Sequence, residues 1–353
     1  METDIVFQIL AYAGVYQDYI HLFRESEVDS EALEVLESEH LEDIGITNKR
    51  HRELILQARD KILGASEHHS RTSEPREPQV PNQEVPISVS MLIKASPAQS
   101  KSKSETSNEF LRKLNMVGLE GKSITTISNM HLCPKLQVVY LSNNQIAEIS
   151  GLDSLKNLRV LWLEGNLISK MEGLDKLLRL EKLYLDRNQI SCLEGIQNCH
   201  NLQELSCSAQ SIPGSLELEE NSIVGISPSI AKLNLSKNQI EDIGVLWYLD
   251  LLLELDLSEN QVAMSESLVK ALSCMKSLQK LSLWGNPVAR RTKYRDEVIL
   301  SCMSLQELDN KNIPQNQKEY LCRLQSKKFS SSKRNSKKAS ERKGLEVIGN
   351  GLN

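Results

Sequence analysis

The sequence has few aromatic residues and no long apolar run, and each shortage excludes a class of protein. It contains 3 Trp, 8 Tyr and 4 Phe among 353 residues. No run of about eighteen apolar residues occurs, so we expect no transmembrane segment. The N-terminal stretch METDIVFQIL carries acids where a secretory signal needs basic residues, which predicts that this stretch is not a signal peptide.

Cysteine pairs, net charge and catalytic motifs are also scarce. The 7 cysteines are odd in number and irregularly spaced, which argues against a disulfide framework and favours a reducing, cytoplasmic setting. The net charge of −5 suggests no nucleic-acid partner. We find no CxxC pair, no phosphate-binding glycine loop and no catalytic constellation, so we expect no enzyme activity, no metal and no cofactor.

Four regions differ in composition. Residues 1–64 are rich in helix formers and lack proline. Residues 65–107 hold five of the 10 prolines and few large apolar side chains, which is typical of a disordered linker. Residues 108–325 carry a regular leucine pattern. Residues 326–353 begin with a basic, serine-rich segment that we interpret as a disordered tail.

The leucine pattern predicts a leucine-rich repeat solenoid, an α/β fold with a curved parallel sheet. Its first position recurs, mostly at intervals of 22 residues, at Leu114, Leu136, Leu158, Leu180, Leu202, Ile230, Leu252, Leu278 and Leu305. An asparagine keeps phase with this pattern at Asn144, Asn166, Asn188, Asn238, Asn260 and Asn286, while Lys122 and Gln210 interrupt the series. Apolar residues three apart, such as Ile146 and Ile149, favour short 3-10 turns over full α-helices, so we expect short 3-10 or helical segments on the convex side.

One repeat contains the string RVLW at residues 159–162, which resembles the docking peptide of many protein phosphatase 1 regulators. A docking peptide must leave its own fold to pair with the edge of a partner's sheet. Leu158, Leu161 and Leu163, however, fill the three core positions of a repeat. We therefore predict a central strand here, with Trp162 on its concave side.

The predicted concave face carries candidate protein-binding residues. Tyr140, Trp162 and Tyr184 occupy the same position in successive strands, about 4.8 Å apart, and so should form one row. The other candidates flank or extend this row and are Glu164, Asp186, Arg187, Glu254, Asp256, Glu259 and Trp284. Aromatic residues ringed by charges are typical of interface hot spots, although single exposed aromatics also arise by chance.

The 22-residue unit resembles the Sds22-like class of leucine-rich repeats. Residues 285–313 contain Asn-Pro-Val, Tyr-Arg and Leu-Asp in order and look like the C-terminal cap of that class. The irregular stretch 208–223 and the segment GNPV-x4-KYRD are similar to the testis leucine-rich repeat family, whose members are protein phosphatase 1 regulatory subunits. This resemblance implies binding to the phosphatase catalytic subunit, in a cytoplasmic, cytoskeleton-associated setting.

The N-terminal region resembles a sterile alpha motif (SAM) domain. The resemblance is carried by VDSEALEVL (28–36), HLEDIGI (40–46) and the final helix that starts at His51. A basic cluster and an acidic belt in this region permit head-to-tail self-association, and a solvated surface without self-affinity is the alternative. The residues that we expect to mediate association are Lys49, Arg50, Arg52, Glu27 and Asp29.

The tail contains two serines, Ser336 and Ser340, each with basic residues both two and three positions before it. This arrangement resembles the substrates of basophilic kinases. Its residues 327–343 carry eight Lys or Arg and one Glu, which suits either contact with an acidic surface such as a microtubule or a solubilising role.

Together, these features predict a non-enzymatic scaffold that binds protein phosphatase 1 through the concave face and associates through the SAM domain. The alternative is a cytoskeletal or centrosomal adaptor without phosphatase binding. A third hypothesis, a ubiquitin-ligase component, needs a RING-type Cys/His cluster, which this sequence lacks. We expect a cytoplasmic location, at the cytoskeleton or a microtubule-organising centre.

Overall fold

The computed structural model divides the chain into two compact units, Met1–Val80 and Pro81–Asn353, and each is described by itself. The structure describes residues 36–49, 51–53, 55–56, 59, 84–95, 101–102 and 104–326, together with Leu22. In the first unit, helix α1 spans Ser38–Asp43. The apolar residues around it are at most 5% exposed and form the described part of a small core: Leu36, Leu41, Ile46 and Ile55.

In the second unit, ten short strands form one sheet, and each strand pairs in parallel with the next as far as the last, which returns antiparallel. In order they are β1 Met116–Gly118, β2 Val138–Tyr140, β3 Val160–Trp162, β4 Lys182–Tyr184, β6 Glu204–Ser206, β8 Lys232–Asn234, β9 Glu254–Asp256, β10 Lys280–Ser282, β11 Glu307–Leu308 and β12 Lys311–Asn312. Strands β5 (Cys192–Leu193) and β7 (Glu217–Leu218) pair separately. The predicted leucine-rich repeat solenoid is confirmed, and RVLW contributes a central strand, β3, that pairs on both sides.

The core of the solenoid is a stack of the predicted leucine positions. Each of the nine, from Leu114 to Leu305, is at most 1% exposed. Cys199 and Cys207 fill two positions normally taken by leucine or isoleucine and are equally buried. Burial raises the pKa of the Cys199 thiol to about 12, so this side chain behaves as an apolar filler rather than a thiolate.

A ladder of buried amides joins the repeats at the turns that follow strands β2 to β10 of the main sheet. The Asn188 Nδ2 donates to the carbonyl oxygens of Leu163 and Leu185, and its Oδ1 accepts from the Ile168 N–H. Gln210, which interrupts the asparagine series, makes the two contacts to the preceding repeat: its Nε2 donates to Leu185 O and its Oε1 accepts from Ile190 N–H. The longer glutamine therefore preserves the ladder where the sequence pattern breaks.

The secondary structure on the convex side depends on the length of each repeat. Residues 146–158, in a 22-residue repeat, form turns, and short 3-10 segments occur at Met130–Leu132 and Gly244–Tyr248. The longer repeats instead hold α-helices, at Glu220–Ile226 (α4) and Glu266–Cys274 (α5). The expected mixture of short 3-10 and helical segments is therefore confirmed, with α-helices where extra residues give room for a helical turn.

The N-terminal cap of the solenoid lies inside the region predicted as a linker. Helix α2 (Val89–Lys94) and the residues before it pack on the first repeat, and Ile87 and Leu92 are fully buried. Pro86 bridges Thr126, and the Ala95 carbonyl accepts from the N–H of Gly118 on the edge strand β1. Helix α3 spans Ser107–Leu111. The predicted boundary at residue 108 is therefore wrong for residues 84–95, because these residues cover apolar surface and an open strand edge.

The C-terminal cap includes residues 285–313, the segment that resembles the cap of the Sds22-like class. Pro287–Arg290 forms a 3-10 segment, helix α6 spans Tyr294–Ser301, and residues 315–326 are helical. The Tyr294 hydroxyl donates to Asp309, whose other oxygen accepts from Leu283 N–H. Arg295 donates to the carbonyl oxygens of Leu308, Lys311 and Asn312. These contacts hold β11 and β12 at the end of the sheet.

Candidate protein-binding face

The strand register places three aromatic side chains in one row on the concave face. Tyr140 lies opposite Trp162, which lies opposite Tyr184, as predicted from the spacing. The ring centroids of Trp162 and Tyr184 are 3.8 Å apart and nearly parallel, and those of Tyr140 and Trp162 are 6.0 Å apart and tilted by 34°. Each ring is half-buried because its neighbours cover part of it.

An aliphatic row lies beside the aromatic one, two residues earlier in each strand. Met116, Val138 and Val160 are in register across β1, β2 and β3, and all three are partly exposed. Sequence reasoning missed this row, although the same spacing rule predicts it. We call the six side chains of the two rows the concave strip: Met116, Val138, Val160, Tyr140, Trp162 and Tyr184.

Ion pairs flank the concave strip on both sides. Arg159 Nη1 lies 2.7 Å from Glu181 Oε1 on one side, and Arg187 Nη2 lies 2.8 Å from Glu164 Oε1 on the other. Glu164 is only 9% exposed. The predicted site residues Glu164 and Arg187 are thus brought together beside the rings, where they neutralise each other.

Asp186 orients the next strands as well as bordering the strip. Its Oδ1 accepts from the Ser206 hydroxyl at 2.6 Å and from the Ser208 N–H at 2.7 Å. This carboxylate therefore helps to fix the end of β6. A role in partner binding would be additional to that structural one.

The second half of the concave face is polar, and its charges alternate. Lys182, Glu204, Lys232, Glu254, Lys280 and Glu307 follow one another across six strands in register. Lys182 and Glu204 are 2.8 Å apart, and Lys232 and Glu254 are 3.2 Å apart. Exposed pairs of this kind contribute little stability, about 0–1 kcal/mol each, but they leave little uncompensated charge.

The remaining concave candidates lie in this polar half. Asp256 accepts from Ser258 N–H, and Glu259 pairs with Lys237 at 3.3 Å. Trp284, just after β10, is 42% exposed. Four strand intervals separate β4 from β10, or roughly 19 Å, so Trp284 is not part of the aromatic row.

The SAM residues have different surroundings. Lys49 is exposed. Arg52 is only 8% exposed, donates to the carbonyl oxygens of Ile46 and Thr47 and pairs with Glu42 at 3.1 Å. The expectation that Arg52 belongs to an exposed basic patch is therefore wrong, because its guanidinium is held within the domain. Arg50, Glu27, Asp29, Ser336 and Ser340 lie outside the described residues.

Within the described ranges, no three His, Cys, Asp or Glu side chains are grouped so as to hold a metal ion. No helix in the same ranges has the length and apolar character needed to cross a bilayer.

Comparisons with known proteins agree with this architecture. A family model described as Leucine Rich repeats (2 copies) matches residues 134–176, and a model of the SAM domain (Sterile alpha motif) matches residues 14–63. The chain carries leucine-rich repeats and an N-terminal SAM domain. Both families are typically non-enzymatic protein-interaction modules, which indicates a protein-interaction scaffold.

Individual relatives are similar only in part. The U2 small nuclear ribonucleoprotein A' of Eremothecium gossypii is 30% identical over 103 residues, which are 29% of this chain and 44% of that protein. The structure of an internalin C2 from Listeria monocytogenes has a TM-score of 0.50 at 19% identity and covers 62% of this chain and 90% of its own. A Leptospira interrogans leucine-rich repeat protein has a TM-score of 0.48 at 24% identity over 57% of this chain and 50% of its own. The likeness to the internalin shows the fold alone.

Proposed function

We propose that this chain is a scaffold that binds the catalytic subunit of protein phosphatase 1 through the concave strip. The main support for this site is the aromatic row. Its three rings lie in line beside an aliphatic row, and the neighbouring charged side chains form ion pairs with each other. Central clusters of aromatic side chains surrounded by satisfied polar groups supply most of the energy in protein interfaces. The choice of partner rests on the resemblance of the repeats and cap to phosphatase regulators.

The pairing of strand β3 within the sheet restricts how the phosphatase can bind. Leu161 is fully buried and β3 is bonded on both sides, so RVLW cannot leave the sheet to dock as a peptide. Phosphatase contact would instead use the exposed face of Trp162 and its neighbours. A peptide of residues 155–166 on an unrelated carrier should accordingly fail to capture the phosphatase.

The decisive variant is Trp162→Ala in the full chain, tested against purified phosphatase catalytic subunit. We expect the Kd to rise about thirtyfold, which corresponds to about 2 kcal/mol. Trp247→Ala, on the convex side, is the matched control and should leave the Kd within about twofold. Melting curves of both variants separate lost binding from lost folding. Equal weakening by the two substitutions would reject the concave strip as the site.

The extent of the site is measured by Trp284→Ala in the same assay. Because Trp284 lies roughly 19 Å from Tyr184, a loss of affinity would show that the partner also covers the polar half of the face. Glu254, Asp256 and Glu259 would then belong to the interface. An unchanged Kd would confine the site to the strip.

We propose a cytoskeletal or centrosomal adaptor without phosphatase binding as the second candidate, with a cytoplasmic location in either case. The net charge of +7 on residues 327–343 favours this alternative, because tubulin surfaces are acidic. Sedimentation with microtubules should retain the full chain and lose a chain that ends at Ser326. Failure of the full chain to bind phosphatase, together with tail-dependent sedimentation, would favour the adaptor.

A further inference from the structure

The convex side carries an exposed apolar ridge where the repeats lengthen. Helix α4, the 3-10 segment Gly244–Tyr248 and helix α5 pack side by side. Val224 on α4 and Val269 on α5 are 42% and 41% exposed, and Trp247 and Tyr248 between them are half-buried. We call Val224, Trp247, Tyr248 and Val269 the convex ridge.

Contacts within the ridge combine aromatic rings with charges. Lys270 Nζ lies 3.4 Å from the centre of the Trp247 ring, and the Tyr248 hydroxyl donates to Glu220 at 2.6 Å. A shallow, open recess along α5 is lined by Met264, Ser265, Glu266, Val269, Lys270 and Ser273. The ridge therefore offers apolar surface bordered by Glu220 and Glu266, with one lysine, Lys270, on the Trp247 ring.

The surroundings of the ridge are strongly acidic. Between residues 188 and 270 the sequence has twelve Asp or Glu and three lysines, Lys232, Lys237 and Lys270. Lys232 and Lys237 pair on the concave side, with Glu254 and Glu259, and Lys270 lies over the Trp247 ring of the ridge. The eight acids outside the concave strands and the turns after them are Glu194, Glu217, Glu219, Glu220, Glu241, Asp242, Asp250 and Glu266. The acids beside β5 are close enough to raise the pKa of Cys192, after burial, through Glu194, Glu217 and Glu219.

We propose that the convex ridge is a docking surface for the basic segment 327–343 of the same chain. Eight Lys or Arg and one Glu give this segment a net charge of +7, which complements the acids around the ridge. The apolar ridge would accept the aliphatic parts of lysine and arginine side chains.

The length of the segment permits this contact. The described chain ends in the helix of residues 315–326, whose Lys318 donates to Met303 O beside α6. Helix α6 packs on α5, and α5 packs on the 3-10 segment of the ridge. At roughly 8–10 Å per packed element, three steps require about 30 Å, whereas seventeen extended residues span about 56 Å.

Phosphorylation would regulate the contact. Ser336 and Ser340 lie inside the docked segment, and each phosphate adds about −1.5 to −2 charges. Two phosphates would reduce the charge of the segment by roughly half. The phosphorylated tail would leave the ridge and expose both the ridge and its own basic residues.

Zero-length cross-linking of the full chain with a carbodiimide tests the proposal, because it joins a lysine only to a carboxylate in contact with it. In the monomer fraction at low salt, we expect Lys337, Lys338 and Lys343 to couple to ridge acids such as Glu217 and Asp242, because these lysines lie far enough along the segment to reach the ridge. The yield should fall at 1 M salt, where the Debye length is about 3 Å. Coupling mainly to acids of residues 1–64, or none at all, would overturn the proposal.

Charge reversal supplies the matched control. The triple variant Glu220→Lys, Glu241→Lys, Glu266→Lys should lower the yield at the unchanged Glu217 and Asp242 on the order of fivefold. The triple variant Glu148→Lys, Asp153→Lys, Glu172→Lys places the same charges on earlier repeats and should leave that yield nearly unchanged. Equal losses in the two variants would mean that net charge alone, and no docked tail, governs the coupling. The Ser336→Glu, Ser340→Glu variant should reduce the yield, and an unchanged yield would overturn the regulatory step.

Discussion

At the scale of single residues, one buried amide per repeat joins each turn to its neighbours, and Asn188 shows what its loss costs. Asn188→Ala would leave the Ile168 N–H without an acceptor and would remove one of two amide donors from Leu163 O and from Leu185 O, which keep Asn166 and Gln210. An unpaired buried backbone group costs about 1–3 kcal/mol, and the weakened carbonyl contacts add to this, so we expect a loss of about 2–3 kcal/mol. Urea unfolding followed by tryptophan fluorescence reports on this unit, because all 3 Trp lie in the repeats.

The partly exposed Asn157 provides the comparison for Asn188. Its side chain donates to Pro134 O at 3.3 Å and accepts from Arg179, in contact with solvent. Asn157→Ala should cost less than about 1 kcal/mol, because water replaces both contacts. A similar cost for the two alanine variants would contradict the importance of the buried ladder.

Substitutions at Gly121 and Gly195 allow the cost of backbone strain to be measured apart from the cost of a steric clash. Gly121 has a φ of +61° and open space around it, whereas Gly195 has a φ of +75° and a Cβ there would lie 1.8 Å from Met171 O. Gly121→Ala should destabilise the repeat unit by about 1–2 kcal/mol, from the left-handed conformation alone. Gly195→Ala should cost at least about 3 kcal/mol, because the backbone of the preceding repeat must move. Equal midpoints in thermal unfolding would show that the loop adapts without cost.

At the scale of elements, the N-terminal cap decides where the repeat unit begins. Ile87 and Leu92 are fully buried, and Ala95 O bonds to the edge strand. A chain that starts at Pro81 should unfold cooperatively, whereas a chain that starts at Asn108 loses these contacts and should melt at least about 5 °C lower. Calorimetry of the two chains provides the measurement, and identical melting temperatures would show that residues 84–95 are dispensable.

The sequence predicted the elements that repeat and missed those that occur once. The strands and the aromatic row follow from a fixed period, because every repeat meets the same neighbours. The cap at 84–95 resembles a linker in composition, since Pro86 and the serines there are common in unstructured segments, and only contact with the first repeat orders it. The burial of Arg52 was not predicted either. Its acceptors are the backbone carbonyl oxygens of Ile46 and Thr47, and the identity of side chains does not reveal such contacts.

At the scale of the whole molecule, the expected self-association of the SAM domain would decide whether the scaffold acts as a monomer. If its basic and acidic patches associate, Lys49→Glu with Arg50→Glu should convert salt-sensitive oligomers into monomers in sedimentation velocity runs. Arg52→Glu differs, because it places a carboxylate against two carbonyl oxygens, and it should lower the stability of this domain by at least about 3 kcal/mol. A wild-type chain that stays monomeric at high concentration and low salt would refute association.

The constant 22-residue spacing from Leu114 to Leu202 makes the aromatic row modular. The chain enters and leaves every repeat in this range at equivalent positions. A duplication of residues 158–179 would therefore insert one more strand, one more ladder amide and a fourth aromatic ring. The row can thus lengthen or shorten by one repeat through a single recombination event, without rebuilding either cap. Beyond Leu202 the uneven repeats remove this freedom, and divergence there would have to proceed by substitution.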